Sequence, residues 1–522
     1  MKIALVATYT HPLALGLRYV SSYLKRGGHE VCMVFMTSKR DSAKARFAPE
    51  LIADLVERVR NAELIGMSLM TNTFYRACAL TEALRSAGVR APIVWGGVHP
   101  TVAPVESIAV ADAICIGEGE QTMLELADTL AAGRDPTSID GLWFRTNDRI
   151  THNPVRPLIA DLDALPFPDY DIDQQHYVVE GKALVSAQPE LMRGALTRYR
   201  VQTTRGCPFE CTFCSNTALK HLYRDKGKWV RLRGNESVIA ELEARTSRFP
   251  TIEAVNIVDD LFLVRPEEAL AEFARLYVER INLPVELDAF PTTVTPGKIE
   301  ILRRMPISLV SMGIQSGSED TLFNLYKRRT PIGKVADAIR MLSESRIPAE
   351  YHYIINNPFE PRANVEETLR FAARHHRGPA IVRVFPLALY PGTPLHERAV
   401  TDGVIAGRHD ITYEHTYGSR CYVIGDAYLS IILRAVLALT GMGLPPKPAE
   451  LFVGAATARP TRWLLDRRWF VYAAYGAYRV GHFVGRRIVR QCIQKPLNLL
   501  RGKGRATRAA NKRQPVQHWQ PA

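Results

Sequence analysis

Hydrophobic positions in the first 135 residues form short apolar runs separated by amphipathic stretches, the rhythm of strands alternating with helices. The apolar runs fall at 2–7, 30–36, 64–70, 92–96 and 113–117, and the helical patterns fall at 13–26, 50–61, 73–87, 103–110 and 119–132. Five strands joined by helices predict an α/β domain with a doubly wound parallel sheet. Such sheets bind ligands beyond the carboxyl ends of their strands, so the residues that follow the strands are the candidates for binding.

The same alternation resumes over residues 198–400. Its strand-like runs fall at 200–205, 254–259, 285–290, 309–315, 350–355 and 381–389. Six strand–helix units predict a (β/α)6 partial TIM barrel with its functional site at the carboxyl ends of the strands. Between the two regions, residues 136–197 are expected to hold a hairpin over 139–153 and then a Pro/Asp-rich interdomain linker.

The strand rhythm ends beyond the barrel. Residues 401–501 are predicted to form a helical C-terminal region, strongly apolar from Tyr428 to Leu439, and residues 502–522 a disordered basic tail. The formal net charge of +14 lies here, because Arg459 to Arg513 holds fifteen lysines and arginines and one acidic residue, Asp466. A basic segment on a neutral body indicates an interaction surface and not a property of a catalytic core.

Aromatic residues interleave with arginines between Arg462 and Arg490, and three interpretations of this segment stay open. A helical cap over the barrel with a solvated arginine face is favoured. Peripheral contact with an anionic membrane surface is the second interpretation, and RNA binding is the least expected, so nucleic acid is not a predicted partner. No run reaches about 18 uninterrupted apolar residues, so the sequence predicts no membrane-spanning helix.

Five of the eight cysteines are scattered singly, several inside apolar runs. This spacing is not a disulfide framework and fits a reducing compartment, so the predicted location is cytoplasmic, with membrane association if the basic segment binds lipid. The first seven residues carry a short apolar run without a cleavage site, and we expect them to form a strand and not a signal peptide.

The remaining three cysteines, Cys207, Cys211 and Cys214, lie within eight residues, directly after the first strand of the predicted barrel. Three thiolates at this C-x3-C-x2-C spacing can bind three irons of a [4Fe–4S] cubane and leave the fourth iron open for another ligand. The alternative is a zinc site completed by His221. Zinc sites more often use paired C-x2-C halves, and the chain has no second pair.

This cysteine motif, with the aromatic Phe213 before its last cysteine and a (β/α)6 pattern around it, closely resembles the radical S-adenosylmethionine (SAM) superfamily. The resemblance implies that the open iron chelates SAM and that one electron, from an external reductant, cleaves the sulfonium. The resulting 5′-deoxyadenosyl radical abstracts hydrogen from a substrate. Arg205, Arg231 and Arg233 are expected at the surface, with neutralisation of the cluster or of a carboxylate as the alternative.

Three further strand ends resemble the same family. An Asp-Asp pair follows the second barrel strand, Gly-Ile-Gln-Ser-Gly-Ser follows the fourth, where the family carries Glu in place of Gln, and Tyr-Pro-Gly-Thr-Pro follows the sixth. Each alone is an ordinary cap or turn, but together they occur in order at predicted strand ends. The resemblance implies SAM contacts from Phe213, Asp259, Asp260, Gln315 and Ser316.

The first domain resembles the Rossmann-like, cobalamin-binding domain of one large branch of that superfamily. Gly-Met-Ser-Leu-Met-Thr closes the third strand, Gly-Gly-Val-His-Pro-Thr follows the fourth and matches the signature of that branch, and Gly-Glu-Gly-Glu follows the fifth. Glycines leave room for the nucleotide tail of the cofactor to pass between strand ends. The resemblance implies cobalamin contacts from Ser68, Met70, Thr71, Gly96, Gly97, His99, Gly117 and Glu118.

One motif departs from other cobalamin proteins. Their Asp-x-His-x-x-Gly, whose His ligates cobalt, falls at Tyr9–Ala14, where His11 is present but Asp and Gly are absent. A ligating His needs a partner that orients its ring, so His11 is interpreted as a loop residue. A Rossmann-like module without a cofactor stays an alternative for the whole domain.

The resemblances imply an anaerobic enzyme with three cofactors: a [4Fe–4S] cluster, SAM and cobalamin. In this branch it is most often a C-methyltransferase, in which methylcobalamin delivers a methyl group to an unactivated carbon of a small-molecule or lipid-like substrate. Three alternatives stay open. They are radical cyclisation, oxidation or ring rearrangement without methylation; a tRNA methylthiotransferase-like enzyme, which would need Cys32, Cys78 and Cys115 for a second cluster; and a non-catalytic, cluster-containing scaffold.

Overall fold

The computed structural model describes residues 1–8, 14–36, 47–147, 149–171, 175–188, 191–192, 196–376, 380–405, 411–413 and 427–461. His11 and the basic aromatic segment beyond residue 461 lie outside these residues. The interpretations of both therefore stay predictions.

The first sheet contains five parallel strands where the hydrophobic pattern predicts them. They are β1 (Lys2–Ala7), β2 (Glu30–Phe35), β3 (Leu64–Ser68), β4 (Ile93–Gly96) and β5 (Ala113–Cys115), in the spatial order β5-β4-β3-β1-β2. The helices between them are Leu15–Arg26, Pro49–Val59, Phe74–Ser86, Val98–Val102 and Pro104–Ile108, and Glu120–Ala131 follows β5. The predicted doubly wound sheet is confirmed, and its topological switch point lies between β1 and β3, where such sheets open a crevice at their carboxyl edge.

Four more strands extend this sheet at its two edges. The predicted hairpin is present as β6 (Leu142–Thr146) and β7 (Arg149–His152), paired antiparallel beyond β5. At the other edge, β8 (His176–Glu180) pairs parallel with β2, and β9 (Ala183–Ser186) pairs antiparallel with β8. The sequence pattern missed β8 and β9 because they are short and half-exposed. Part of the segment expected as a linker therefore completes a nine-stranded sheet, and the domain boundaries at 135 and 197 stay predictions.

The second sheet consists of six parallel strands in sequential order, so the predicted (β/α)6 partial barrel is confirmed. Its strands are β10 (Arg198–Val201), β13 (Ala254–Ile257), β14 (Val285–Ala289), β15 (Ile307–Gln315), β16 (Ala349–Ile355) and β17 (Ile381–Pro386). Its helices are Asn235–Arg248, Glu267–Arg280, Pro296–Leu302, Ile332–Glu344, Arg362–His375 and Pro394–Thr401. After β10, a short ladder of β11 (Thr204–Arg205) and β12 (Arg231–Leu232) flanks helix Ser215–Leu222.

Two helices beyond the barrel, Ala427–Gly441 and Pro446–Thr457, pack against helix Arg362–His375. The first buries Leu433 and Val436, which confirms the helix predicted over the apolar stretch from Tyr428 to Leu439. In the part of the chain that the structure describes, no helix is both long and apolar enough to span a bilayer.

Candidate active site between the two domains

The three predicted cluster ligands lie on the loop between β11 and helix Ser215–Leu222. Cys211 is buried, and Cys207 and Cys214 are partly buried. Burial raises the pKa of Cys207 to about 11 and that of Cys214 to about 12, and the nearby carboxylate of Asp260 adds to both shifts. Thiols with such high pKa values lose their protons when positively charged metal binds them, so this donor set fits an iron–sulfur cluster.

The cluster loop is fixed by contacts on several sides. Gly206 adopts φ +89°, and a Cβ at this position would lie 2.4 Å from the carbonyl oxygen of Trp229. The indole Nε1 of Trp229 donates a 2.8 Å hydrogen bond to the carbonyl of Cys207. Further along the loop, the Thr212 hydroxyl donates a 2.7 Å hydrogen bond to the carbonyl of Leu325. The positions of the cysteines are therefore set by the surrounding structure before any cofactor is added.

A buried arginine that the sequence analysis did not find lies against the cluster loop. Nη1 of Arg328 is 3.9 Å from Sγ of Cys211, and Nη2 donates a hydrogen bond to the carbonyl of Gly313. The guanidinium carbon lies 4.0 Å from the ring centroid of Phe290, which stacks in turn on Phe209 at 3.6 Å. A buried cation beside a sulfur ligand fits an anionic cluster, because such outer contacts stabilise and tune the metal site.

The predicted acidic pair divides into two different environments. Asp259 is 4% exposed, and its carboxylate accepts hydrogen bonds from the amides of Thr203 and Thr204 at 2.6 and 2.9 Å. It also lies 3.6 Å from Nη1 of Arg265. The exposed carboxylate of Asp260 accepts from the amide of Gly206 at 3.2 Å. Asp259 therefore anchors the strand that leads into the cluster loop, whereas Asp260 lies beside the cysteines with an accessible carboxylate.

The other three predicted SAM contacts lie around the carboxyl end of β15 and in the cluster loop. The ring of Phe213 packs edge-on against Tyr326 at 5.0 Å. Gln315 ends β15 with φ +72° and is partly buried. Ser316 is 1% exposed, and its Oγ lies 2.9 Å from Oγ1 of Thr368 and 3.3 Å from a carboxylate oxygen of Glu360. The structure brings Phe213 and Gln315 to the mouth of the barrel and engages Ser316 in buried hydrogen bonds.

Four of the predicted cobalamin contacts lie at the ends of the neighbouring strands β3 and β4 or just beyond them. Ser68 is paired with Gly96 in the ladder, and Met70 is 44% exposed just beyond the strand end. Gly97 adopts φ +98°, and a Cβ there would lie 2.8 Å from the carbonyl oxygen of Leu69. Only glycine fits this close approach. These residues lie together at the carboxyl edge of the sheet, the side on which doubly wound sheets bind ligands.

Two further predicted cobalamin contacts, Thr71 and His99, are buried behind that edge. Nδ1 of His99 lies 3.2 Å from Oγ1 of Thr71, and its Nε2 lies 3.4 Å from a carboxylate oxygen of Glu106. The rings of Phe74 and Tyr413 enclose the imidazole at 4.9 and 5.6 Å. His99 is fully buried, so its present contacts hold together the loops that follow β3 and β4.

The last two predicted cobalamin contacts, Gly117 and Glu118, face the barrel domain. The backbone amide of Glu118 donates a 2.7 Å hydrogen bond to the hydroxyl of Tyr223, and a Cβ on Gly117 would lie 1.8 Å from that hydroxyl. The Glu118 carboxylate binds Arg205 and Arg231, each at 2.9 Å. Burial alone would raise the pKa of Glu118, but the two arginines hold it below its usual value.

The expectation that three arginines near the cysteines lie at the surface is wrong. The side chains of Arg231 and Arg233 are 5% exposed and that of Arg205 is 13% exposed. Arg233 pairs at 2.5 Å with Glu241, which is completely buried. These arginines instead neutralise carboxylates, which was the alternative in the sequence analysis. Sequence alone could not identify their partners, because most of these lie far away along the chain.

Two alternative metal arrangements find no support in the structure. A zinc site requires several side chains around one ion, but among the described residues no three His, Cys, Asp or Glu side chains have this arrangement. A cubane does not require it, because its thiolates bind separate irons. A second cluster from Cys32, Cys78 and Cys115 is also excluded by geometry. Cys32 lies on β2 and Cys115 on β5, four strand spacings apart in the sheet, which is about 19 Å.

Comparison with known proteins assigns a family to each domain. The sequence profile of the B12 binding domain matches residues 1–127, and that of the Radical SAM superfamily matches residues 201–372. An uncharacterized methyltransferase of Pyrococcus horikoshii is 28% identical over 396 residues, which cover 75% of this chain and 79% of that protein. An anaerobic magnesium-protoporphyrin IX monomethyl ester cyclase of Rubrivivax gelatinosus is 24% identical over 372 residues, or 68% of this chain and 60% of that protein.

Solved structures with the same fold extend over both domains. The radical SAM methyltransferase TsrM from Kitasatospora setae, with tryptophan substrate and a SAM analogue bound, superposes with a TM-score of 0.61 at 18% identity, covering 77% of this chain and 76% of that one. The cobalamin-dependent SAM radical enzyme OxsB with aqua-cobalamin bound superposes with a TM-score of 0.67 at 14% identity, covering 95% and 81%.

A corrinoid-binding sheet and a radical SAM barrel on one chain define a class of two-domain radical enzymes. The chain belongs to the cobalamin-binding radical SAM enzyme family. Its cofactors are cobalamin, SAM and a [4Fe–4S] cluster. The alternatives of a cofactor-free first domain and of a non-catalytic scaffold are therefore wrong.

Proposed function

We propose that the chain transfers a methyl group from SAM, by way of cobalamin, to an unactivated carbon of a small molecule. The observation that carries this proposal is the set of ion pairs that joins the cobalamin-binding domain to the barrel domain. Arg205, two residues before Cys207, binds Glu118 and Glu120 at the carboxyl edge of the first sheet. When bound, the cluster supplies the electron that cleaves SAM, and the corrinoid carries the methyl group.

The residues of the barrel mouth bind and orient the cluster and SAM in this proposal. Cys207, Cys211 and Cys214 bind three irons. Asp260, accessible beside them, accepts hydrogen bonds from the amino group of SAM, and Asp259 keeps the loop in place instead of touching SAM. Phe213, Gln315 and Ser316 complete the SAM site, Ser316 through the hydrogen bonds that shape the loop after β15.

The carboxyl edge of the first sheet binds cobalamin in this proposal. Ser68, Met70, Gly96 and Gly97 line the path of the nucleotide tail. Thr71 and His99 support the two loops from behind. Gly117 and Glu118 fix the barrel domain over this edge, so their contribution to cobalamin binding is indirect.

The substrate is a small molecule, and an external one-electron reductant is the second partner. A lipid-like substrate, peripheral membrane contact and a cytoplasmic location are further parts of the proposal. They rest on the basic aromatic segment, which lies outside the described residues, and on the cysteine spacing. RNA is not among the proposed partners.

Methyl transfer can be tested with the full chain, reconstituted without oxygen with iron, sulfide and cobalamin. With SAM carrying a deuterated methyl group and a strong reductant, we expect 5′-deoxyadenosine and a product heavier by the labelled methyl. Cys214→Ala should abolish the cluster absorbance and SAM cleavage while corrinoid remains bound, and Cys78→Ala serves as the control. A product formed without the label would disprove methyl transfer.

Cyclisation without methylation is the second candidate. It is favoured by the similarity over 68% of this chain to a protein named as a cyclase. In the same experiment, it predicts 5′-deoxyadenosine and a substrate that loses hydrogen without gaining the deuterated methyl group.

A further inference from the structure

The interior of the barrel is lined by charged and polar side chains. Positions that alternate with the core residues of β14, β16 and β17 carry Glu286, Asp288, Glu350, His352 and Arg383. The intervening residues, such as Leu287 and Tyr353, are buried. Because neighbouring positions on a strand point to opposite sides of the sheet, the polar set faces the interior while the apolar set packs beneath the helices.

Two of the interior carboxylates have cationic partners. Glu286 lies 2.5 Å from Nη1 of Arg198 and accepts a 2.9 Å hydrogen bond from Asn256. Glu350 lies 2.6 Å from Nε of Arg383 and 2.6 Å from Nε2 of His352. These pairs balance the charges of both glutamates within the barrel.

Asp288 differs from these glutamates. It is partly buried, and no residue of the described chain forms a hydrogen bond or an ion pair with it. Burial raises the pKa of Asp288 to about 6, so the carboxylate is mainly ionised at neutral pH. His352 lowers this pKa from its position on β16, which is separated from β14 by strand β15. An ionised carboxylate that is partly shielded from water and has no partner is unfavourable, and a ligand cation relieves that cost.

Asp288 also lies close to the cluster loop. Phe290, two residues further along the chain, stacks on Phe209 of that loop and lies under the guanidinium of Arg328. Two residues of a strand span about 7 Å. The same strand register aligns Gly313, whose carbonyl binds Arg328, with His352. Asp288 and His352 are therefore placed directly below the mouth where SAM is proposed to bind.

From this arrangement we infer that the barrel interior binds a polar substrate through a cationic nitrogen, and that Asp288 is the residue that receives it. The inference rests on the proposed function, and of the two substrate classes named there it selects a polar small molecule over a lipid-like one. An aliphatic hydrocarbon chain would leave Asp288 and the surrounding ion pairs in contact with apolar groups. A protonated amine, amidine or guanidine matches the one interior carboxylate for which the described chain provides no partner.

The test uses the full holoenzyme, loaded with cluster, cobalamin and SAM, in three forms: wild type, Asp288→Asn and Asp337→Asn. Asp337 is the control because it is exposed and paired only with nearby Arg340 on its helix. Small molecules extracted from the cells that produce the protein are separated by ion exchange into cationic, neutral and anionic pools. Compounds retained by each immobilised form are then identified by mass spectrometry.

We expect compounds from the cationic pool to be retained by the wild type and by Asp337→Asn, and at least tenfold less by Asp288→Asn. Cluster absorbance and bound corrinoid should be equal in all three forms, and Asp337→Asn should also cleave SAM without substrate at the wild-type rate. Equal retention by Asp288→Asn, retention only from the neutral or anionic pool, or no retention from any pool would each overturn the inference. If the retained cations are bound as expected but take up no labelled methyl, the proposed methyl transfer fails and the binding site stands.

Discussion

Nη1 of Arg205 lies 2.9 Å from Oε1 of Glu118, and this ion pair joins strand β11, which leads into the cluster loop, to the cobalamin-binding domain. Nη2 of the same arginine lies 2.5 Å from Oε1 of Glu120, and Arg231 binds Glu118 from the neighbouring strand. All four side chains are at most 16% exposed. A buried network of this kind fixes the two domains in one relative position, because removing any member leaves an uncompensated charge.

Replacement of Arg205 by Gln should therefore weaken the domain interface. Loss of one partner of a buried ion pair costs about 3–5 kcal/mol, and we expect the urea midpoint for unfolding to fall accordingly. Methyl transfer should decrease more than reductive SAM cleavage, since only the former depends on the position of the corrinoid domain. Arg340→Gln breaks an exposed helix pair worth about 0.5 kcal/mol and is the control. Equal midpoints for the two variants would contradict the role assigned to Arg205.

Gly117 provides a steric test of the same interface. It adopts φ +85°, and a Cβ at this position would lie 1.8 Å from the Tyr223 hydroxyl. We expect Gly117→Ala to lower the thermal midpoint and the retention of cobalamin, and the additional change Tyr223→Ala to restore part of both. Gly88→Ala is the matched control, because Gly88 has φ +80° but no atom within 4 Å of its Cβ position. It retains the cost of the left-handed backbone, about 1 kcal/mol, without the clash.

Arg328 should set the reduction potential of the cluster. Its guanidinium lies beside Cys211 and is 5% exposed, so it stabilises the more negative, reduced cluster. A charge-assisted hydrogen bond contributes about 2 kcal/mol, and for one electron this corresponds to about 90 mV. We therefore expect Arg328→Met to lower the midpoint potential by roughly that amount in a titration followed by electron paramagnetic resonance. Arg328→Lys retains the charge and should shift it less; identical potentials in all three proteins would rule out this role.

Much of the fold could be predicted from the sequence because its determinants are local. All eleven predicted strands of the two parallel sheets lie within a few residues of the observed ones, since buried parallel strands are continuous apolar runs. The cysteine spacing likewise indicated the cluster loop without any knowledge of distant residues. β8 could not be read in this way, because it is short and its placement depends on pairing with β2, about 140 residues earlier. β9 pairs in turn with β8.

The parts of the site that were missed depend on contacts between distant residues. Arg205 and Glu118 are 87 residues apart, and nothing in either local sequence indicates the pairing. Arg328 lies in the basic run Lys327-Arg328-Arg329, which by itself is typical of a solvated surface. Asp288 was overlooked because its lack of a partner becomes apparent only when the strands of the barrel are brought together.

Glu360 should make the stability of the protein depend on pH. Its carboxylate accepts hydrogen bonds from Thr321 and Ser316, at 2.9 and 3.3 Å. Burial raises the pKa of Glu360 to about 7, from a usual value of 4.5, and the two hydroxyls only partly offset that shift. Since the native state retains this proton to a higher pH than the unfolded chain, stability contributed by the protonated group is fully present below pH 4.5. It is lost as the pH rises from there to about 7.

The change Glu360→Gln should remove this pH dependence while keeping the size of the side chain. A shift of about 2.5 pKa units corresponds to about 3 kcal/mol, so above pH 7 we expect the variant to be more stable than the wild type by up to that amount. Near pH 4.5 the two should unfold at similar urea concentrations. Glu344→Gln, at an exposed site on helix Ile332–Glu344, should show no such difference between the two pH values. If Glu360→Gln destabilises the protein equally at pH 5 and pH 8, the carboxyl group is ionised throughout and contributes through its hydrogen bonds alone.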